Sequence, residues 1–130
     1  MSRENLERLR SSLEYYFTTG EPDMTVLDEN VEVHDHDILD AGEYRGHAGF
    51  RRWFEDFGAA WSEFSLVPRD YIDAGERVIA IFTMRATGAG SGITVEREDA
   101  MVCEMRALKV VRIDYYNNRE QALASVDIDA

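Results

Sequence analysis

Leu6, Leu9, Leu13, Tyr16 and Phe17 recur at intervals of three and four, with Glu4, Glu7, Arg8 and Glu14 between them. That spacing gathers the apolar side chains on one stripe of a helix and the charges on the other. The helix is expected to stop near Gly20, after which Glu21-Pro22-Asp23 can open a short second helix through Leu27. The pattern then changes to alternation, in Glu29-Asn30-Val31-Glu32-Val33-His34-Asp35-His36-Asp37. As a strand, this segment carries Val31, Val33 and Asp35 on one face and His34 and His36 on the other.

Residues 42–46 read as a turn. Beyond Gly46, the residues Phe50, Trp53, Phe54, Phe57 and Trp61 mark a strongly amphipathic helix, with Arg51, Arg52, Glu55 and Asp56 opposite. The remainder is β in pattern. Strands are expected over 63–72, 77–87, 93–105 and 109–117, and Pro68 signals a bulge or an edge. A turn falls at 73–76, a glycine-rich connection at 88–92, and a short helix over 119–126. Helices followed by a meander of long strands is an α+β order. Long strands twist and curl, and a helix laid across the concave side of a curled sheet leaves a cone-shaped cavity. No repeat or linker divides the chain, so residues 1–130 are expected to form one domain.

Charge narrows the partners. Twenty-six acidic residues against 14 basic ones give a net charge of −12. Such a surface repels phosphate backbones and anionic lipid headgroups, so neither nucleic acid nor membrane is expected as a partner. No apolar run reaches the ~18 residues of a membrane span. The charged, helical pattern of the first ten residues does not read as a secretory signal. With a single cysteine, Cys103, no internal disulfide can form. Together these features lead to the expectation of a cytoplasmic protein.

The helix over 6–17, the strand Val31-Glu32-Val33-His34-Asp35, the segment Tyr44-Arg45-Gly46-His47-Ala48-Gly49-Phe50 and the ending Lys109-Val110-Val111-Arg112-Ile113-Asp114-Tyr115-Tyr116-Asn117 are shared features. With them the chain resembles the SnoaL-like proteins of the nuclear transport factor 2-like superfamily. The resemblance implies a cystatin-like α+β roll. In it a strongly curved, mixed and largely antiparallel sheet carries helices on its concave face, around a cone-shaped pocket. It also implies a homodimer formed through the sheet. That superfamily holds polyketide cyclases, ketosteroid isomerases, epoxide hydrolases, dehydratases and non-catalytic binding domains, so fold alone does not choose a function.

Three residues are candidates for chemistry. Asp35 is similar in position to the carboxylate base of ketosteroid isomerases, and a carboxylate set among Trp and Phe side chains suits general base work. Asp99 is in phase with Met101, Cys103 and Met105 and one pleat from the acid that stabilises the oxyanion in those enzymes; Arg97 could instead pair with it. His36, turned inward by a bulge, would complete an acid–base pair with Asp35. Alternating His and Asp also suggests a metal, but His34, His36 and His47 lack a supporting ligand spacing, and no metal or other cofactor is expected. The cyclases and epoxide hydrolases carry an essential Asp on the last strand. Asn117 is the match here, and an amide cannot take that proton. Asp114 is an alternative whose parity points away.

The expected lining comes from every element. Tyr16 lies on the first helix, Val33 on the first strand, and Trp53, Phe54, Phe57 and Trp61 on the aromatic helix. Phe82, Met84, Met101, Cys103, Tyr115 and Asn117 come from the later strands. Cys103 reads as a buried small hydrophobe. The functional expectation is a pocket for a small hydrophobic ligand or substrate, with cofactor-free isomerase, dehydratase or cyclase chemistry. The alternative is a non-catalytic ligand-binding or dimerisation module.

Overall fold

In the computed structural model, which describes residues 2–36 and 44–126, the apolar stripe of the first helix faces a six-stranded mixed sheet. That helix, α1 (Ser2–Thr19), ends at Gly20, whose φ of +78° lets its N–H turn back to the Tyr16 carbonyl at 2.8 Å. The next turn is shorter than its sequence suggests. Asp23 caps a 3₁₀ turn of only three residues, Met24–Val26, because Leu27 already pairs with Val110 as the first residue of a strand. Strand β1 (Leu27–Asp35) is followed by β2 (Tyr44–Arg45) and α2 (Gly46–Ala59). Gly49 lies so near the preceding strand that a Cβ there would meet the Tyr44 backbone at 3.0 Å. Asp37 and the first part of the expected 42–46 turn lie outside the described residues.

Four long strands complete the sheet: β3 (Trp61–Ala74), β4 (Arg77–Gly88), β5 (Thr94–Arg106) and β6 (Lys109–Tyr116). Their order is β2-β1-β6-β5-β4-β3, with β1 and β6 parallel and every other pair antiparallel. Pro68 sits on the edge strand β3, where the register slips between Pro68 and Asp70. That is where a residue without an N–H can be tolerated. Trp61 departs from its expected place on the aromatic helix. The helix ends at Ala59, and Trp61 opens β3 opposite Gly88; starting the ladder there satisfies backbone groups that one more helical turn would leave at a frayed end.

The sheet is covered on its inner face and, over β4 and β5, on its outer face as well. On the inner face, α1 and α2 cover Val31, Val33, Val78, Phe82, Cys103 and Ile113. On the outer face, Ile79, Ile81, Ala100 and Val102 pack under Ala122 and Leu123 of α3 (Arg119–Ser125). The third helix therefore lies on the opposite side of the sheet from the other two. Among the described residues, no helix is long and apolar enough to cross a membrane.

Candidate functional site

The inner stripes of α1 and α2 do not close on the sheet. Leu9, Leu13 and Phe17 of α1, Phe50, Trp53, Phe54 and Phe57 of α2, and Phe64, Phe82, Met101, Cys103 and Tyr115 of the sheet surround a hollow of about 100 Å³, partly open to solvent. An engineered apolar cavity of about 150 Å³ stays dry and takes up benzene, so this space suits a single ring or a compact branched group. Tyr16 also borders it, and burial raises the pKa of its hydroxyl. Ser12, buried and one turn before Tyr16, adds a second hydroxyl to the same wall. Ser12 sits beside the apolar stripe, and its small polar side chain gave no sequence signal.

Two carboxylates stand directly behind this wall. Asp35 pairs with Tyr115 across the parallel β1–β6 ladder and is 8 % exposed. It accepts the indole N–H of Trp53 at 2.7 Å. Asp99, opposite Phe82, is 0 % exposed. Arg97 donates to it from Nε at 2.7 Å and from Nη2 at 3.4 Å, and the Tyr115 hydroxyl donates to it as well. Burial, then the charge and hydrogen bond of Asp99, push the Tyr115 phenol well above its ordinary pKa. Trp53 and Tyr115 are themselves in contact, with ring centroids 5.6 Å apart. Both carboxylates thus lie on the pocket side of the sheet, yet neither borders the hollow; each meets it through an aromatic side chain.

His36 is elsewhere. After an irregularity between Leu27 and Glu32, strand β1 pairs with β6 in unbroken register to Asp35, so the next residue turns to the outer face. There its Nε2 lies 2.8 Å from Asp114 Oδ1, and its ring stacks on Tyr116 at 4.4 Å. The inward His36 expected beside Asp35 is corrected by that geometry. Four expected lining residues also fall outside the hollow. Val33 and Met84 are wholly buried, Asn117 is exposed beyond the end of β6, and half-buried Trp61 lies 6.0 Å below the Arg97 guanidinium. Phe64 and Leu66 border it instead, on alternate positions of the edge strand. Cys103 borders it with a thiol whose pKa burial raises, a chemically quiet surface.

On the outer face, burial would raise the pKa of Asp114, but hydrogen bonds from Arg112 and His36 outweigh it and the net shift is downward. A carboxylate with a depressed folded pKa stabilises the fold above its unfolded value of about 3.9 and loses that contribution as pH falls through the folded value. Asp114→Asn is therefore expected to cost about 1 kcal/mol at neutral pH and less at acid pH, read from urea unfolding at both. An equal cost at both would contradict this. Among the described residues, no three His, Cys, Asp or Glu side chains converge as a metal site.

The sequence profile described as the SnoaL-like domain matches residues 13–113. No curated protein matches the sequence. Among solved structures, a nuclear transport factor 2-like protein from Burkholderia thailandensis superposes with a TM-score of 0.76 at 20% identity, covering 94% of this chain and 95% of that one. A SnoaL-like protein from a Jannaschia species, whose name proposes a polyketide cyclase, gives 0.73 at 12% identity, with 99% and 95% covered. A protein with a ketosteroid isomerase-like fold from Catenulispora acidiphila, in complex with trimethylamine, gives 0.71 at 15% identity, with 92% of each chain covered. At these identities the likeness is one of fold.

Proposed function

The chain belongs to the SnoaL-like domain family, and from that premise we propose that it is a small-molecule-binding protein whose ligand sits in the aromatic hollow between α1, α2 and the sheet. The observation that carries this reading is the unfilled space itself. A core formed only for stability closes to crystal-like density, whereas here aromatic side chains from two helices and the sheet leave room for a ring. A structurally similar protein holding trimethylamine supports a fold used for binding small molecules. The carboxylates weigh towards binding without turnover, since Trp53 and Tyr115 stand between them and the hollow.

The chain has two tryptophans, of which Trp53 borders the hollow and Trp61 does not. In a Trp61→Phe background, cyclohexanol is expected to change Trp53 emission saturably. Leu13→Phe, which extends into the hollow, should abolish that response while leaving the fold intact. A response untouched by Leu13→Phe would contradict the reading.

Acid–base turnover is the second reading, and one observation favours it: Asp35 and Tyr115 are register partners on the pocket side. Asp35 would act as base once Trp53 swings aside, in an isomerisation, dehydration or cyclisation. Asp35→Asn would then lower turnover by about 10²–10⁴. Unchanged turnover in that variant would remove Asp35 as the base.

A further inference from the structure

We infer that the hollow is built for a small organic cation, a tertiary or quaternary ammonium group sheathed in carbon. The inference rests on reading the hollow as a binding site and names the chemistry of its occupant. It begins with what the two polar rings in the wall do with their hydrogens. Trp53 gives its N–H to the Asp35 carboxylate, and Tyr115 gives its O–H to Asp99. Neither ring therefore offers that donor to a ligand. Each instead has a negative charge hydrogen-bonded at its edge, which drives electron density towards its faces.

Those faces are the surface on which a cation is held. The attraction comes from the ring quadrupole, is largest for Trp, and grows when water is excluded. Phe57 completes a three-ring cluster with them, its centroid 5.6 Å from Tyr115 and 6.4 Å from Trp53, all mutually tilted. Phe50 and Phe54 continue the wall. Among the described residues that border the hollow none is basic, while one, Asp23, is acidic and paired with Arg8 at 3.3 Å. Behind the rings the charges are two carboxylates and the guanidinium of Arg97, and the whole chain carries −12. Two carboxylates against one guanidinium, on an acidic chain, disfavour an anion here.

The type of cation follows from how little the wall offers an N–H: the hydroxyls of Ser12 and Tyr16, and a carboxylate, Asp23, already engaged by Arg8 and Thr25. A primary ammonium needs partners for three N–H groups and is costly to strip of water. A methylated ammonium has few or none and presents carbon to the rings. Its compact size also suits a space of about 100 Å³.

The test is calorimetric titration of the protein with choline and with 3,3-dimethylbutan-1-ol, which has the same shape with a carbon in place of the charged nitrogen. Choline is expected to bind about tenfold more tightly or better. Asp35→Asn keeps an acceptor for the Trp53 N–H and removes the charge. It should cut choline affinity severalfold and leave the neutral alcohol unchanged. Should that variant not fold, Tyr115→Phe supplies a parallel test, since it takes the Asp99 hydrogen bond from the ring edge, keeps the ring, and should likewise weaken choline alone. Equal or tighter binding of the alcohol overturns the cation class and leaves the pocket reading standing. No binding of choline at millimolar concentration overturns it too, and in that case the cyclohexanol response decides whether the pocket reading survives.

Discussion

Replacing Arg97 by methionine is expected to cost about 3–5 kcal/mol of stability at neutral pH, because it strands the charge of a carboxylate that water cannot reach. Asp99 is completely buried on β5, and the Arg97 fork supplies the opposing charge through two of its nitrogens. The Tyr115 hydroxyl still donates to Asp99 in the variant, but a neutral donor does not replace a guanidinium. Urea unfolding at pH 7 should show the loss. Combining Arg97→Met with Asp99→Asn should recover most of the stability, since the amide keeps an acceptor for Tyr115 without the charge. A loss below about 1 kcal/mol in the single variant would mean that the pair is screened by solvent.

Trp53→Ala is expected to cost a similar amount, about 3–5 kcal/mol, and to abolish ligand binding. The side chain is 6 % exposed. Its ring packs against Phe50, Phe57 and Tyr115 at centroid distances of 5.6, 6.4 and 5.6 Å. Truncation opens a void beside the existing hollow and withdraws the N–H from Asp35. Trp53→Phe separates the two effects, because it retains most of the packing and loses the hydrogen bond. Its cost should be about 1–3 kcal/mol, the usual range for a buried acceptor deprived of a donor. If alanine and phenylalanine cost the same, the hydrogen bond and not the ring dominates.

Alternation assigns a face, and for the carboxylates it assigned the right one. Val31, Val33 and Asp35 are on the inner side of β1, and Asp99, Met101 and Cys103 share the inner row of β5. Depth is another matter. Whether Asp35 borders the hollow or stands behind it depends on the reach of Trp53 from α2, fixed by the packing of a helix on a sheet and not by any period in the chain. Partners across strands were equally hidden. His36 meets Asp114 only because β1 and β6 run parallel in the register that sets His34 opposite Asp114, and two segments so far apart carry no mark of that pairing.

Other features did leave traces. Val78-Ile79-Ala80-Ile81-Phe82 is a continuous apolar run, which signals a strand covered on both faces and therefore an element on the outer side. That element is α3. Trp61 fitted the helical spacing of Trp53 and Phe57, but the helix ends at Ala59. Helix ends are read from capping residues, and Gly58-Ala59-Ala60 offers no distinct stop.

The pocket reading is tested most directly by xenon. A crystal pressurised with the gas should show a bound atom among Phe57, Phe82, Met101 and Tyr115, since an apolar hollow of this size is a natural site for it. Side chains closed over that volume, with no xenon between them, would contradict the account.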